Sequence, residues 1–184
     1  MDVTAFNEEE IDPRVIRKAQ RGHRGSQAVL LRELQDVWYR YSYKMLSDDD
    51  KARDATQETG LRFLRGLPEF RGESRLKTWS LGITLNVCRE MRRSRPHLAL
   101  ADADVPPAST TTPDQLVYAE QLDQLEQQLA SLPERQREAI TLRYLEQLSL
   151  RDTAAAMGCA LGTAKATISQ ALRALRAREE AAES

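Results

Sequence analysis

The sequence predicts an all-α protein made of two small helical domains joined by a flexible linker, and three observations carry that expectation. Only 8 Gly and 7 Pro stand among 184 residues otherwise rich in Leu, Ala, Arg, Gln and Glu, a composition that favours helix. Aromatic residues make up 5% of the chain, and runs of Val, Ile or Thr are scarce, which argues against strands. Between two stretches of helical periodicity lies HLALADADVPPASTTTPDQ, residues 97–115, with three prolines, a Ser/Thr run and small acidic residues. Such a segment offers few backbone donors and little apolar surface to bury, so it reads as an extended connection. The domain organisation expected is a tail over 1–10, a first domain over 11–96, a linker over 97–113, a second domain over 114–178 and a tail over 179–184.

Before the linker, helices are expected at 11–22, 25–47, 50–66 and 74–94. The second carries Val29, Leu30, Leu34, Val37, Trp38, Tyr41 and Met45, close to a helical stripe. Ser47-Asp48-Asp49-Asp50 supplies acidic N-cap chemistry for the third. Leu67-Pro68-Glu69-Phe70-Arg71-Gly72 ends that helix, because proline cannot continue it. After the linker, Leu116, Leu122, Leu125, Leu129 and Leu132 mark another helix, and Ser131 with Glu134 reads as a capping box opening the next. Neither half contains an internal repeat.

Residues 148–177, LSLRDTAAAMGCALGTAKATISQALRALRA, read as a helix-turn-helix. Ser149 caps a short helix with Asp152 three residues on, and Gly158 ends it where a left-handed residue is wanted. Ala154 and Ala155 are small enough for a close helix crossing. The second helix, near 161–177, carries Leu161, Ala164, Ile168, Ala171, Leu172 and Leu175 on one side. Its opposite arc presents Gly162, Thr163, Ala166, Thr167, Gln170 and Arg173, with Lys165 and Ser169 beside it. Small or polar side chains there suit a helix laid against base edges in a major groove. Periodicity alone would equally fit an ordinary αα-hairpin.

Net charge is −1, but charge is distributed in blocks. Residues 1–10 carry −4, 11–96 carry +8, 97–133 carry −6 without a Lys or Arg, 134–178 carry +4 and 179–184 carry −3. Two basic blocks flanking an acidic connection suggest two polyanion-binding modules, because local charge sets the field a phosphate backbone feels. No run approaches the ~18 apolar residues of a spanning helix, and the acidic start MDVTAFNEEEID lacks the pattern of a secretory signal. Cys88 and Cys159 are too few for a disulfide framework and lack zinc-ligand spacing; both read as packed thiols. No metal or cofactor is expected.

At this level of detail the chain resembles a known family. SLPERQREAITLRYLEQLSLRDTAAAMGCALGTAKATISQALRALR resembles the fourth conserved region of bacterial sigma factors. DATQETGLRFLRGLPEFRGESRLKTW, followed by ITLNVCREMRR, resembles the second region. Both occur in the family's order, with a linker and no third domain between, as in the compact extracytoplasmic-function group of the sigma-70 family. The resemblance covers about 11–95 and 114–177.

The resemblance implies a non-enzymatic subunit that brings core RNA polymerase to promoters, contacts the minus-ten and minus-thirty-five elements, and promotes opening. Docking on the clamp helices of the β′ subunit would fall to Asp54, Gln57, Glu58 and Leu61, which share a face at i, i+3, i+4 and i+7. The minus-ten element would be met by Arg71, Ser74, Arg75, Lys77 and Asn86, with Arg89, Arg92 and Arg93 following the backbone. The minus-thirty-five element would be met by Arg151, Thr163, Lys165, Thr167, Ser169, Gln170 and Arg173, while the same domain contacts the β flap. The linker, with Asp102, Asp104 and Asp114, would thread the path of nascent RNA. An anti-sigma factor is the expected antagonist, which could hold an otherwise cytoplasmic protein at the membrane without inserting it. Trp79 and Trp38 read as core residues rather than stacking platforms.

Some positions depart from the family pattern. The common form GxSxGTVKSRLxRAR appears as GCALGTAKATISQAL, so Ala160 replaces an N-cap serine worth ~1 kcal/mol. Thr167, Gln170 and Leu172 stand where many relatives carry Arg, and Gly82 and Leu85 do so in the minus-ten helix. Gly82 inside a helix costs ~1 kcal/mol against Ala. Weak DNA binding by the free protein is expected. The competing readings are a stand-alone DNA-binding regulator and a nucleic-acid hydrolase; against the latter, His23 and His97 lie far apart, each in an exposed setting, with no phosphate loop or nucleophile motif.

Overall fold

The computed structural model describes residues 11–94 and 127–182, and the described residues form helices and turns without a strand. Helix α1 (Pro13–Gln20) opens on Asp12, whose carboxylate accepts from the Arg14 N–H, with Pro13 at the first helical position. Gly22, at φ 86°, turns the chain into α2 (Arg24–Leu46). His23 is exposed, as expected, and also caps α2: its Nδ1 accepts from the Ser26 N–H at 3.1 Å. Ser47 in the left-handed conformation ends α2, and Asp48 caps α3 (Asp49–Gly66) through the Lys51 N–H at 3.0 Å. So short a connection makes α2 and α3 antiparallel neighbours.

The stripe on α2 buries as expected: Leu30, Leu34, Val37, Trp38, Tyr41 and Met45 face inward, while Val29 stays exposed. Against it α3 sets Ala52, Ala55, Thr59 and Phe63, mostly small residues that let the axes approach. Each large apolar side chain so buried contributes about 1.5–3 kcal/mol. Trp38 and Phe63 pack tilted at 5.2 Å, and the Trp38 indole N–H donates to the Ser80 hydroxyl at 3.0 Å. Pro68 sits in a short 3-10 turn, Leu67–Glu69, that breaks α3 as anticipated. The Gln20 amide donates to the Leu67 and Phe70 carbonyls at 3.2 and 2.8 Å, tying the following loop to α1.

Helix α4 (Leu76–Arg93) is the central element: Leu76, Thr78, Ser80, Leu81, Thr84, Leu85, Val87 and Cys88 are all buried on it. Part of this burial comes from the far end of the chain. The second half comprises helical residues 127–130, α5 (Glu134–Ile140) with a wider π-type turn (Thr141–Leu145), α6 (Leu150–Met157) and α7 (Leu161–Ala182). One hydrophobic cluster joins Val37, Tyr41, Met45, Leu81 and Leu85 to Leu129, Leu132, Ile140, Leu142, Met157 and Ile168. The expected domains thus share a core.

Three local expectations are corrected. The capping box at Ser131 and Glu134 does not form: the Ser131 hydroxyl turns back to the Gln128 carbonyl at 2.6 Å, and Pro133 holds the cap position of α5. Leu161 belongs to the apolar stripe by spacing yet is 50% exposed, since it is the first residue of α7 and burial starts one turn later, at Ala164, Ile168 and Ala171. Ala155 is exposed; Ala154 and Ala156 face inward instead. The Ser149 cap and the left-handed Gly158 turn, at φ 63°, are as expected. The helix expected around 116–125, the linker with Asp102, Asp104 and Asp114, and His97 lie outside the described residues. No described helix is long and apolar enough to cross a membrane.

Candidate polymerase and nucleic-acid interfaces

On α3, Asp54, Gln57 and Leu61 are exposed along one face, with Leu61 presenting 52% of its surface. A lone exposed leucine is ordinary on a protein surface, so the docking reading of this face rests on the family resemblance. Glu58 is less available. It accepts from the Arg62 Nε at 2.7 Å, and Arg62 also forms a fork onto Glu90 of α4 at 2.8 and 2.7 Å. The hydrogen bonds from Arg62 hold the Glu90 carboxyl below its ordinary range, so this triad is a charged brace between α3 and α4.

The loop over residues 70–75 stands at one end of α4, with Gly72 at φ 72°. Arg71 and Arg75 are exposed there and Ser74 is half-buried. Trp79 is half-buried, its ring tilted against Phe63 at 5.4 Å and Phe70 at 5.0 Å, so it supports the loop from below. Its free edge lines a groove of about 440 Å³ with Arg62, Ile83, Asn86, Arg89 and Arg93. This cleft combines an aromatic edge, an amide, the Glu90 carboxylate and three guanidinium groups, of which Arg62 is paired with Glu58 and Glu90 and Arg89 with Glu138.

The second half covers the neighbouring face of α4. Arg89 forms a two-pronged ion pair with Glu138 of α5, at 2.8 and 2.7 Å, and Glu138 is 1% exposed. That hydrogen-bonded carboxylate pushes the Arg89 guanidinium further toward its charged form. Arg92 meets Glu134 at 2.9 Å and also donates to the Met45 carbonyl. Lys77 donates to the backbone carbonyl of Glu146 at 3.1 Å, and the buried Glu146 carboxylate lies 3.5 Å from Arg40 and 4.0 Å from Lys77. Burial pushes the Glu146 carboxyl up, against the opposing pull of Arg40 and Lys77. Between these ion pairs, Gly82 faces the backbone of Ala156: a Cβ there would stand 3.3 Å from the Ala156 carbonyl oxygen.

On the other side of the second half, Arg151 of α6 and Thr163, Lys165, Ser169, Gln170 and Arg173 of α7 are exposed together, with Thr167 half-buried. The Thr167 hydroxyl donates to the Thr163 carbonyl at 2.9 Å, and the Arg173 Nε donates to the Ser169 carbonyl at 3.3 Å. These bonds stay within α7, so its polar front faces solvent.

The chain's matches to known proteins agree with this two-part layout. Residues 30–96 match the sequence model of Sigma-70 region 2, and residues 122–175 match that of Sigma-70 region 4. The chain is 33% identical to the ECF RNA polymerase sigma factor SigC of Mycobacterium tuberculosis, over 98% of this chain and 97% of that protein. The chain belongs to the extracytoplasmic-function sigma factors. It is also 33% identical to the ECF RNA polymerase sigma-E factor of Salmonella typhimurium, over 66% of this chain and 70% of that one. Among solved structures, the sigma factor RpoE of Bartonella quintana, determined with the anti-sigma factor NepR, is similar with a TM-score of 0.67 and 27% identity, covering 81% of this chain and 93% of that one. CnrH, solved with the cytosolic domain of CnrY, shares the fold at a TM-score of 0.71 and 19% identity, over 92% and 97% of the two chains.

In this sigma factor the residues expected at the minus-ten element divide into two groups. Arg71, Ser74, Arg75, Asn86 and Arg93 surround open surface, whereas Lys77, Arg89 and Arg92 are engaged by region 4. Leu85 is buried. Standing where many relatives carry Arg, it is 1% exposed and packs in the core shared with the second half. Gly82 has a packing reason instead. Sequence reasoning missed Glu134, Glu138 and Glu146, whose spacing resembles that of solvated helix charges; only the opposing cations give them a role.

Proposed function

We propose that this sigma factor binds core RNA polymerase, directs it to a set of promoters by contacting their minus-ten and minus-thirty-five elements, and promotes their opening, without catalysing a reaction itself. The supporting observation is the presence of two separate basic faces, one on α4 and its preceding loop and one on α7, within a chain matching regions 2 and 4 in family order. Residues 11–96 and 114–178 act as the two promoter-contacting domains, joined by 97–113. Asp54, Gln57, Glu58 and Leu61 dock on the β′ clamp helices, and the second domain also meets the β flap. Arg71, Ser74, Arg75, Lys77, Asn86, Arg89, Arg92 and Arg93 serve the minus-ten strand. Arg151, Thr163, Lys165, Thr167, Ser169, Gln170 and Arg173 serve the minus-thirty-five groove, where phosphate contacts set register and base-edge contacts set sequence.

The protein works in the cytoplasm under an anti-sigma factor; that reading is supported by similarity to a sigma factor solved with such a partner. Run-off transcription from a promoter library, with core polymerase and with or without this protein, is the direct test. Promoter-specific transcripts only when both are present are expected. Tight operator binding without polymerase would instead indicate a stand-alone regulator.

A further inference from the structure

We propose that the outer face of α1, made of Arg14, Arg17, Lys18 and the cap residue Arg21, is a sequence-independent binding surface for the phosphodiester backbone of promoter DNA, carrying it past the loop over residues 70–75. The inference rests on the assignment of that loop to the minus-ten element under the proposed function, and extends the path by one helix.

Spacing gathers the charge on one side. Residues 13–24 hold five bases and no acid. Arg14, Arg17, Lys18 and Arg21 stand at i, i+3, i+4 and i+7, so they share a face of α1. Val15, Ile16 and Ala19 turn the other way and join the core cluster of Leu30, Leu34 and Trp38. All four cations are exposed, and none forms an ion pair with a described residue. Cations at a helix C-terminus complement the macrodipole, which accounts for Arg17, Lys18 and Arg21. Arg14 has no such account, because it lies in the first turn, where the dipole disfavours a positive charge. Like charges at i, i+4, as in Arg14 with Lys18 and Arg17 with Arg21, also weaken a helix. A face that works against its own helix gains from an external polyanion rather than from the fold.

Gln20 sets this face beside the loop. Its amide donates to the Leu67 carbonyl at 3.2 Å and the Phe70 carbonyl at 2.8 Å, so the loop leaves from the C-terminal end of α1. Arg21 and Arg71, both exposed, are each one residue away from that second hydrogen bond. The cations of α1 therefore adjoin those of the loop. From Arg14 to Arg21 the helix rises about 10 Å, the span of about three phosphate steps of one strand. Nucleic acid fits better than a protein partner, because no large apolar residue of α1 is exposed, whereas protein interfaces centre on apolar and aromatic anchors. Contacts of this kind position a strand without reading its sequence.

The test uses the full chain at low salt, where α1 is already exposed, and fluorescence anisotropy with a short oligo(dT) strand and with a duplex of equal length, each across a salt series. One variant combines Arg14→Gln, Arg17→Gln, Lys18→Gln and Arg21→Gln, which removes the charge but keeps good helix formers. A second combines Arg14→Lys, Arg17→Lys and Arg21→Lys, which keeps the charge, and a third combines Arg71→Gln with Arg75→Gln in the loop. The glutamine variant should lose about tenfold or more in affinity, and its slope of log K against log salt should fall by about 2, as for three lost phosphate contacts. The lysine variant should stay close to the wild type. A loss confined to the strand places single-stranded promoter DNA on α1, and one confined to the duplex places the flanking duplex there. Unchanged affinity and slope in the glutamine variant, with a loss in the loop variant, would overturn the α1 surface and leave the loop's assignment standing. A loss from α1 with none from the loop would overturn the continuous path and the minus-ten reading of the loop. A lysine variant as weak as the glutamine one would show that the helix and not its charge was lost, and would also overturn the surface. Displacement of the labelled DNA by polyglutamate more readily than by unlabelled DNA of equal charge would overturn it in favour of an acidic protein.

Discussion

Arg89 and Glu138, 49 positions apart, join the two regions through a two-pronged ion pair in which both carboxylate oxygens are used and Glu138 is almost fully buried. Removing one partner of a buried pair costs more than the pair contributes, because the remaining charge is stranded. The contact therefore couples the arrangement of the two regions to the state of a residue proposed to meet promoter DNA.

Leu61→Asp should lower affinity for core polymerase by about tenfold or more while leaving stability within about 0.5 kcal/mol, because half of the side chain faces solvent. Anisotropy of labelled protein titrated with core enzyme measures the first effect and urea unfolding the second. Equal polymerase affinity would remove α3 from the docking surface.

Trp38→Ala should destabilise the chain by about 3–5 kcal/mol, through a large cavity beside Phe63 and loss of the partner of the Ser80 hydroxyl. Trp38→Phe should cost less, since it fills most of the volume and forfeits only the indole hydrogen bond. Urea midpoints of both variants check the order.

Burial pushes the Cys88 thiol up to about 11, against a hydrogen bond to Ser42 that opposes the shift. With the folded value above the unfolded one, Cys88 contributes no pH dependence well below its ordinary thiol range; stability then falls as pH rises toward about 11. Iodoacetamide at mildly alkaline pH should modify Cys88 only under unfolding conditions, as peptide mapping would show. Rapid native labelling would contradict its burial.

Glu146 offers a second titration with a definite sign. Its folded pKa is raised by burial, so the protonated form fits the folded structure better and its contribution is lost as pH rises through the raised value. Glu146→Gln should accordingly equal or exceed the wild type in stability at neutral pH, with the difference shrinking as pH falls below the ordinary glutamate range. Unfolding curves at several pH values test the trend, and a variant less stable than the wild type at neutral pH would reverse the sign.

In region 4, Gln170→Ala should relax preference at a single base pair by about 1–3 kcal/mol, whereas Lys165→Ala should weaken binding to all sequences and reduce the salt slope by about 0.9. A selection experiment on minus-thirty-five sequences with polymerase present separates the two patterns.

Much of the architecture is legible in the sequence. Residues with strong local rules behave as expected: Asp48 and Ser149 cap helices, Pro68 breaks one and Gly158 turns another. The α2 stripe is legible because burial on one face repeats at the helical period. Local rules mislead where they meet a competing contact. Ser131 has the pattern of a capping box, but Pro133 already holds the cap position and the hydroxyl bonds backward. Leu85 and Gly82 resemble altered DNA-reading positions, because a helix facing solvent and a helix facing another domain carry the same period.

The amino-acid sequence by itself determined the helices, the two-region order and the family, since these depend on residues near one another along the chain. The tertiary structure alone decided what Lys77, Arg89 and Arg92 touch, because contacts between residues so far apart in the chain leave no periodic trace. It also turned Gly82 from a weak point in α4 into the place where the second region seats.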